Sequence, residues 1–250
     1  MDISYVTPDF TWFDKLKGKE LQKNIDVENN PRVKELLEKI NSSSNDYEII
    51  QLCARVNEHD HDNFMVFVQE AEILFHLGEF DMADESYQKA IQKTKGKSAS
   101  VCGMYAFFLF STGDSDKALD YCEQALQLEN NSEGIPWLKG MIFSDVGKHE
   151  EAVECFDIAI SQNMNDITSW SGKYEALIQL GRTNDAAECV QEAIKLQSNI
   201  SLLAILGHSS LMKKNYLDAK KFFSDYLSIV DDQRVAKELE GIMKKLNESK

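Results

Sequence analysis

The chain has 250 residues, 43% hydrophobic and 28% charged, a globular balance and not a disordered one. Its 42 Asp and Glu outnumber 27 Lys and Arg for a formal charge of −15, which excludes nucleic acid as a main partner and counts against an anionic membrane, because both select positive faces. Three prolines and twelve glycines favour long helices over a turn-rich β protein.

Residues 1–29 carry Tyr5, Phe10, Trp12, Phe13, Leu16, Leu21 and Ile25, and the stretch DFTWFDKLKGKELQKNI mixes aromatics with lysines. The segment reads as partly helical. Three placements stay open for it: docking on the first repeat, filling a groove of this chain or of another copy, and anchoring to a partner or membrane surface. The opening MDISYVTPDF has neither the basic nor the apolar run of a leader, and no stretch approaches the roughly 18 apolar residues of a membrane span. Cys53, Cys102, Cys122, Cys155 and Cys189 are odd in number, widely spaced and without a Cys-x-x-Cys pair, which predicts reduced thiols packed as small hydrophobes. These features predict a cytoplasmic chain.

Beyond residue 30 the chain repeats itself. The pattern Gly-x4-Ala-x6-Ala occurs as Gly78/Ala83/Ala90, Gly113/Ala118/Ala125, Gly147/Ala152/Ala159 and Gly181/Ala186/Ala193, with glycines 35, 34 and 34 residues apart. A fifth copy keeps Ala219 but has Lys214 for the glycine and Tyr226 for the second alanine. Each glycine falls where a first helix ends, in a conformation that glycine tolerates. The paired alanines lie two turns apart on one face of a second helix, and a larger filler follows the first by four residues: Tyr87, Cys122, Phe156, Val190, Phe223. The first helices place Ala71, Ala106, Gly140, Tyr174 and Gly207 in register. One step back, residues 30–63 read as a degenerate unit, with Pro31 opening its first helix and SSSND at 42–46 as its turn. Residues 233–248 set Val235, Leu239, Ile242 and Leu246 on one side of a Lys/Glu-rich capping helix.

Residues 64–232 resemble the tetratricopeptide repeat family. The resemblance implies an all-α, right-handed superhelix (α-solenoid) of about six helix–turn–helix units, at 30–63, 64–98, 99–132, 133–166, 167–199 and 200–232, plus the capping helix. Trp170 and Phe67 match the family's aromatic near the start of the first helix, and Trp137 is displaced from it by one residue. Tyr174 stands where the family has a small residue, and the family's closing proline is missing. In this family the first helices line a concave peptide-binding groove. That places Val68, Glu72, Phe75, Met104, Phe107, Phe110, Trp137, Met141, Glu175 and Ile178 as candidate groove residues. Members that clamp chaperone-tail carboxylates use cationic and amide side chains at positions held here by Val68, Glu72, Gly103, Phe107, Trp137 and Met141. No such clamp exists in this sequence.

No phosphate loop, nucleophile elbow or His-Glu-x-x-His motif is present, so no enzyme activity and no cofactor is expected. The one string suited to a divalent metal, EHDHD at 58–62, equally fits a polar loop after a helix, and no metal is assigned. The expectation is a scaffold or adaptor that binds an apolar peptide or helix with basic residues facing Glu72, Asp145 and Glu175. The alternative is an assembly subunit that self-associates through the apolar groove or through residues 1–29.

Overall fold

Several helices of this chain start on a side-chain oxygen. The Oδ1 of Asn30 accepts from the backbone N–H groups of Arg32 and Val33, that of Asn45 from Glu48, that of Asp114 from Lys117 and that of Asn215 from Asp218. Ser98 Oγ accepts from Val101 N–H. Each bond satisfies a donor that the first turn of a helix leaves open. The structure is a computed structural model and describes residues 30–196 and 200–248. The segment 1–29, with the roles considered for it, lies outside the described residues.

Among those residues there are helices and no strands. They fall into two compact units, divided after Ile142. In the first, α1 (Pro31–Ser42) pairs with α2 (Asp46–His59), α3 (Met65–His76) with α4 (Phe80–Thr94), and α5 (Ala99–Ser111) with α6 (Ser115–Leu128). The next helix, α7 (Ile135–Asp145), contains the division. In the second unit α8 (His149–Gln162) packs on α9 (Ile167–Gln179), which packs on α10 (Thr183–Lys195). There α11 (Ser201–Met212) pairs with α12 (Tyr216–Leu227), and α12 with α13 (Gln233–Glu248).

The small residues of the repeat are where helices meet. Ala83, Ala90, Ala118, Ala125, Ala152, Ala193 and Ala219 have no accessible surface, and Ala71 and Ala106 on the first helices match them. The fillers Cys122, Phe156 and Phe223 are likewise fully buried. Burying one such Phe is worth about 3 kcal/mol. In the second unit a Cβ on Gly207 would run into the Phe223 ring, and one on Gly172 into the Phe156 ring. At Tyr174, where the family has a small residue, the ring packs edge-on against Phe222 at 5.6 Å, and Gly172, two residues earlier, provides the room that Phe156 needs.

Both ends of the repeat array are closed by apolar contacts. Val33, Leu36 and Ile40 of α1 bury against Ile49, Leu52, Cys53 and Val56 of α2 and against Val66. Val235 and Ile242 of α13 bury against Ala219 and Phe223, with Leu239 and Leu246 packed beside them. Salt bridges recur in register as well. Lys139 meets Glu123 at 3.5 Å in the first unit, and Lys173 meets Asp157 at 2.6 Å in the second, each member 34 residues beyond its counterpart.

The four repeat glycines have φ between +72° and +94°, and Lys214, which replaces glycine in the fifth copy, is forced to +58°. A left-handed non-glycine residue costs about 1 kcal/mol. Lys214→Gly is therefore expected to raise stability by about 0.5–1 kcal/mol after the loss of unfolded-state restriction. Gly207→Ala, which overpacks Phe223, is expected to lower it by about 1–3 kcal/mol. Urea unfolding followed by circular dichroism checks both signs.

Candidate functional site

The candidate groove residues of the first unit lie on α3, α5 and α7. Helix α5, ASVCGMYAFFLFS, has almost no polar residue to turn toward water, and its residues Ala99–Ala106 are all buried. Phe107 and Phe110 follow, each half-buried, while Phe108 between them is buried. On α3, Glu72 and Phe75 are half-buried and Val68 has no accessible surface. Helix α7 opens with the buried run Ile135–Leu138, so Trp137 retains 5% of its surface, and Met141 one turn later is half-buried. Met104 has no accessible surface. Of the eight candidates in this unit, five keep surface: Glu72, Phe75, Phe107, Phe110 and Met141.

Behind them stands an aromatic cluster. Phe108 lies 5.7 Å from Phe75, edge to face, and 5.2 Å from Tyr87, and Tyr105 lies 5.5 Å from Tyr87 and 4.7 Å from Tyr121. Aromatic pairs at such separations add about 0.5–1.5 kcal/mol each beyond their buried area. The Tyr105 hydroxyl donates to Asp84 Oδ1 at 2.6 Å, and Gln88 Nε2 donates to Asp84 Oδ2 at 2.7 Å. Burial, then the bond to Asp84, raises the Tyr105 pKa, and burial aided by the Glu72 charge raises that of Tyr87. Burial thus favours the neutral hydroxyl at both positions, and that of Tyr105 links α5 to α4.

Glu175 and Ile178 belong to the second unit. Glu175 accepts from Ser209 Oγ at 2.7 Å and pairs with Lys213 Nζ at 3.1 Å, and Ile178 is exposed. Those partners lie 34 and 38 positions along the chain, and no local motif reveals them. Nor does spacing reveal the Tyr105–Asp84 bond. The sequence places Met104, Phe107 and Phe110 of α5 in a groove, whereas Met104 is buried and the two phenylalanines are half-buried, because a helix apolar all round is enclosed. Among the described residues no three His, Cys, Asp or Glu side chains converge as metal ligands, and no helix is long and apolar enough to cross a membrane.

Residues 66–92 and 99–132 match the family model of the tetratricopeptide repeat. The chain is similar to the TPR repeat-containing protein MJ1428 of Methanocaldococcus jannaschii, with 26% identity over 203 residues, covering 74% of this chain and 34% of that protein. It thus spans about a third of that relative's length. A solved structure of MamA, residues 41 to the end, from Desulfovibrio magneticus RS-1 matches with a TM-score of 0.60 at 13% identity, over 67% of this chain and 96% of that one. A crystal structure of MamA protein matches at 0.53 and 17%, over 74% and 90%. At such identities the likeness carries the fold, an all-α helical repeat.

The cysteines lie within these helix contacts. Burial pushes the Cys102 thiol up to about 11 and the Cys189 thiol up to about 12, and Cys155 is the partly exposed member of the five. Since the thiolate is the reacting form, iodoacetamide at pH 8 is expected to modify the native chain once, at Cys155, and the urea-unfolded chain five times. Intact and peptide mass spectrometry reads both, and native labelling of Cys102 or Cys189 would contradict the packing.

Proposed function

We propose that the chain is a tetratricopeptide-repeat protein, a reading supported by the two matched repeats and the similar repeat-containing relative, and that it is a non-catalytic interaction scaffold that holds an apolar peptide or helix on the α3/α5/α7 face of its first unit. The observation that carries this reading is the set of half-buried apolar side chains Phe75, Phe107, Phe110 and Met141 on these three helices, with the half-buried Glu72 on α3. Exposed aromatic and methionine surface of this kind serves adaptable recognition. Aromatic anchors supply most of the energy of such contacts. In this reading Val68, Met104 and Trp137 form the floor that holds the anchors in place.

Glu72 gives the face its charge preference. A basic residue flanking the apolar anchor of the ligand would meet it, and the acidic unit around it would speed encounter. Between 30 and 142 the sequence has ten Lys and Arg against nineteen Asp and Glu. Without a cationic clamp, an acidic chaperone tail is a poor ligand here. Glu175 and Ile178 offer a smaller surface of the same kind on the second unit, with Glu175 already engaged by Lys213. We place the scaffold in a reducing, cytoplasmic compartment, a reading supported by five unbridged and mostly buried thiols.

A peptide array of apolar sequences with and without lysine tests the proposal on the full chain. Phe107→Glu/Phe110→Glu, with helicity verified by circular dichroism, is expected to weaken the best peptide at least tenfold. Ile158→Glu, on an exposed position of α8, is expected to leave it unchanged. Equal binding by wild type and the double variant would contradict the assignment. No peptide bound, together with a solution mass that rises with concentration, would favour self-assembly instead.

A further inference from the structure

Helix α5 is enclosed on every side along Ala99–Ala106. At about 100° per residue, the eight buried residues Ala99–Ala106 point in every direction around the axis. The four buried residues Ile135–Leu138 do the same for the first turn of α7. A first helix in a repeat stack is flanked by its own second helix and by the neighbouring units, which leaves one side open. The main described neighbours of α5 are α4 and α6, with α3 reaching it through the Phe75–Phe108 contact. Helix α11, within the other unit, has the ordinary pattern: Leu202, Leu203 and Leu206 are buried, while Ala204, Ile205 and His208 keep surface.

We propose that residues 10–25 of the same chain cover α5 and the first turn of α7, occupying the recognition face in cis. Three observations select this occupant. The stretch supplies Phe10, Trp12, Phe13, Leu16, Leu21 and Ile25 for an apolar face. It carries Lys15, Lys17, Lys19 and Lys23 against Asp14 and Glu20, a net positive charge opposite a unit in which acids outnumber bases nearly two to one. It also reaches: Trp12 is 18 residues from Asn30, the cap of α1, a span of about 27 Å if helical and about 60 Å if extended. First helices of adjacent repeats succeed one another at helix-packing distances of about 10 Å, so α5 and α7 lie within about 20–30 Å of α1.

The inference rests on the reading of this face as the recognition surface, and it deepens that reading. An external peptide would then have to displace the chain's own segment, and its apparent affinity would fall by the fraction of molecules in the open state.

Photo-crosslinking of the full chain tests the occupant without relying on any external ligand. A benzoylphenylalanine is placed in turn at Trp12, Phe13 and Leu16, the protein is irradiated at micromolar concentration, and the products are mapped by mass spectrometry. The expected result is cross-links within monomer-sized product to Met104, Phe107, Trp137 or Met141. Cross-links confined to other helices, products of dimer mass, or no cross-link from any of the three positions would overturn the proposal. Loss of these cross-links alongside continued sensitivity of peptide binding to Phe107→Glu/Phe110→Glu would refute the cis occupant alone. Cross-links in place with peptide binding insensitive to those substitutions would refute the recognition face alone.

Discussion

A large side chain seated against a small one is the contact on which the rest of this chain depends. Phe156 and Phe223 have no accessible surface, and each lies against a glycine that could not carry even a methyl group. Alanines at zero exposure do the same work through α4, α6, α8, α10 and α12. Because the second helices approach so closely, their partners are held at fixed spacing, and side chains one repeat apart recur at equivalent places. The Lys139–Glu123 and Lys173–Asp157 pairs are a polar trace of that regularity. Such half-exposed pairs contribute at most about 1 kcal/mol each, so they follow the packing and do not create it.

Much of this was legible from spacing alone. Glycine followed by two alanines located the second helices, because a left-handed turn and a close helix contact each demand a residue type. Lys214 shows the limit of that logic: the turn keeps its φ of +58° even where glycine is missing, since the contacts on either side outweigh the local preference. Tyr174 shows another. Its place in register called for a small residue, yet the close approach in that repeat uses Gly172 instead. Contacts across repeats were not legible. Glu175 read as a groove acid, and its engagement by Ser209 and Lys213 depends on residues more than 30 positions away.

The candidate site follows from how unevenly the apolar residues are spent. Most second helices pair one apolar stripe with a solvated acidic face, as a surface helix should. Helix α5 breaks that pattern with an unbroken apolar sequence, and the aromatic cluster of Tyr87, Tyr105 and Phe108 anchors it from behind. The Tyr105 hydroxyl, donating to Asp84, ties this cluster to α4. A rigid backing reduces the ordering cost of binding, which otherwise consumes much of the energy an apolar ligand offers. In the proposed reading Glu72, on the same helix as Phe75, adds a preference of sign and not much affinity.

The most direct measurement is methyl NMR of the full chain labelled at its methionine ε-carbons, titrated with the tightest lysine-containing apolar peptide. Met104 and Met141 belong to the proposed face, while Met164 and Met243 are exposed on the second unit. The account predicts that the Met104 and Met141 signals shift to saturation and those of Met164 and Met243 hold still. Shifts confined to Met164 or Met243, with Met104 and Met141 unmoved at saturating peptide, would contradict it.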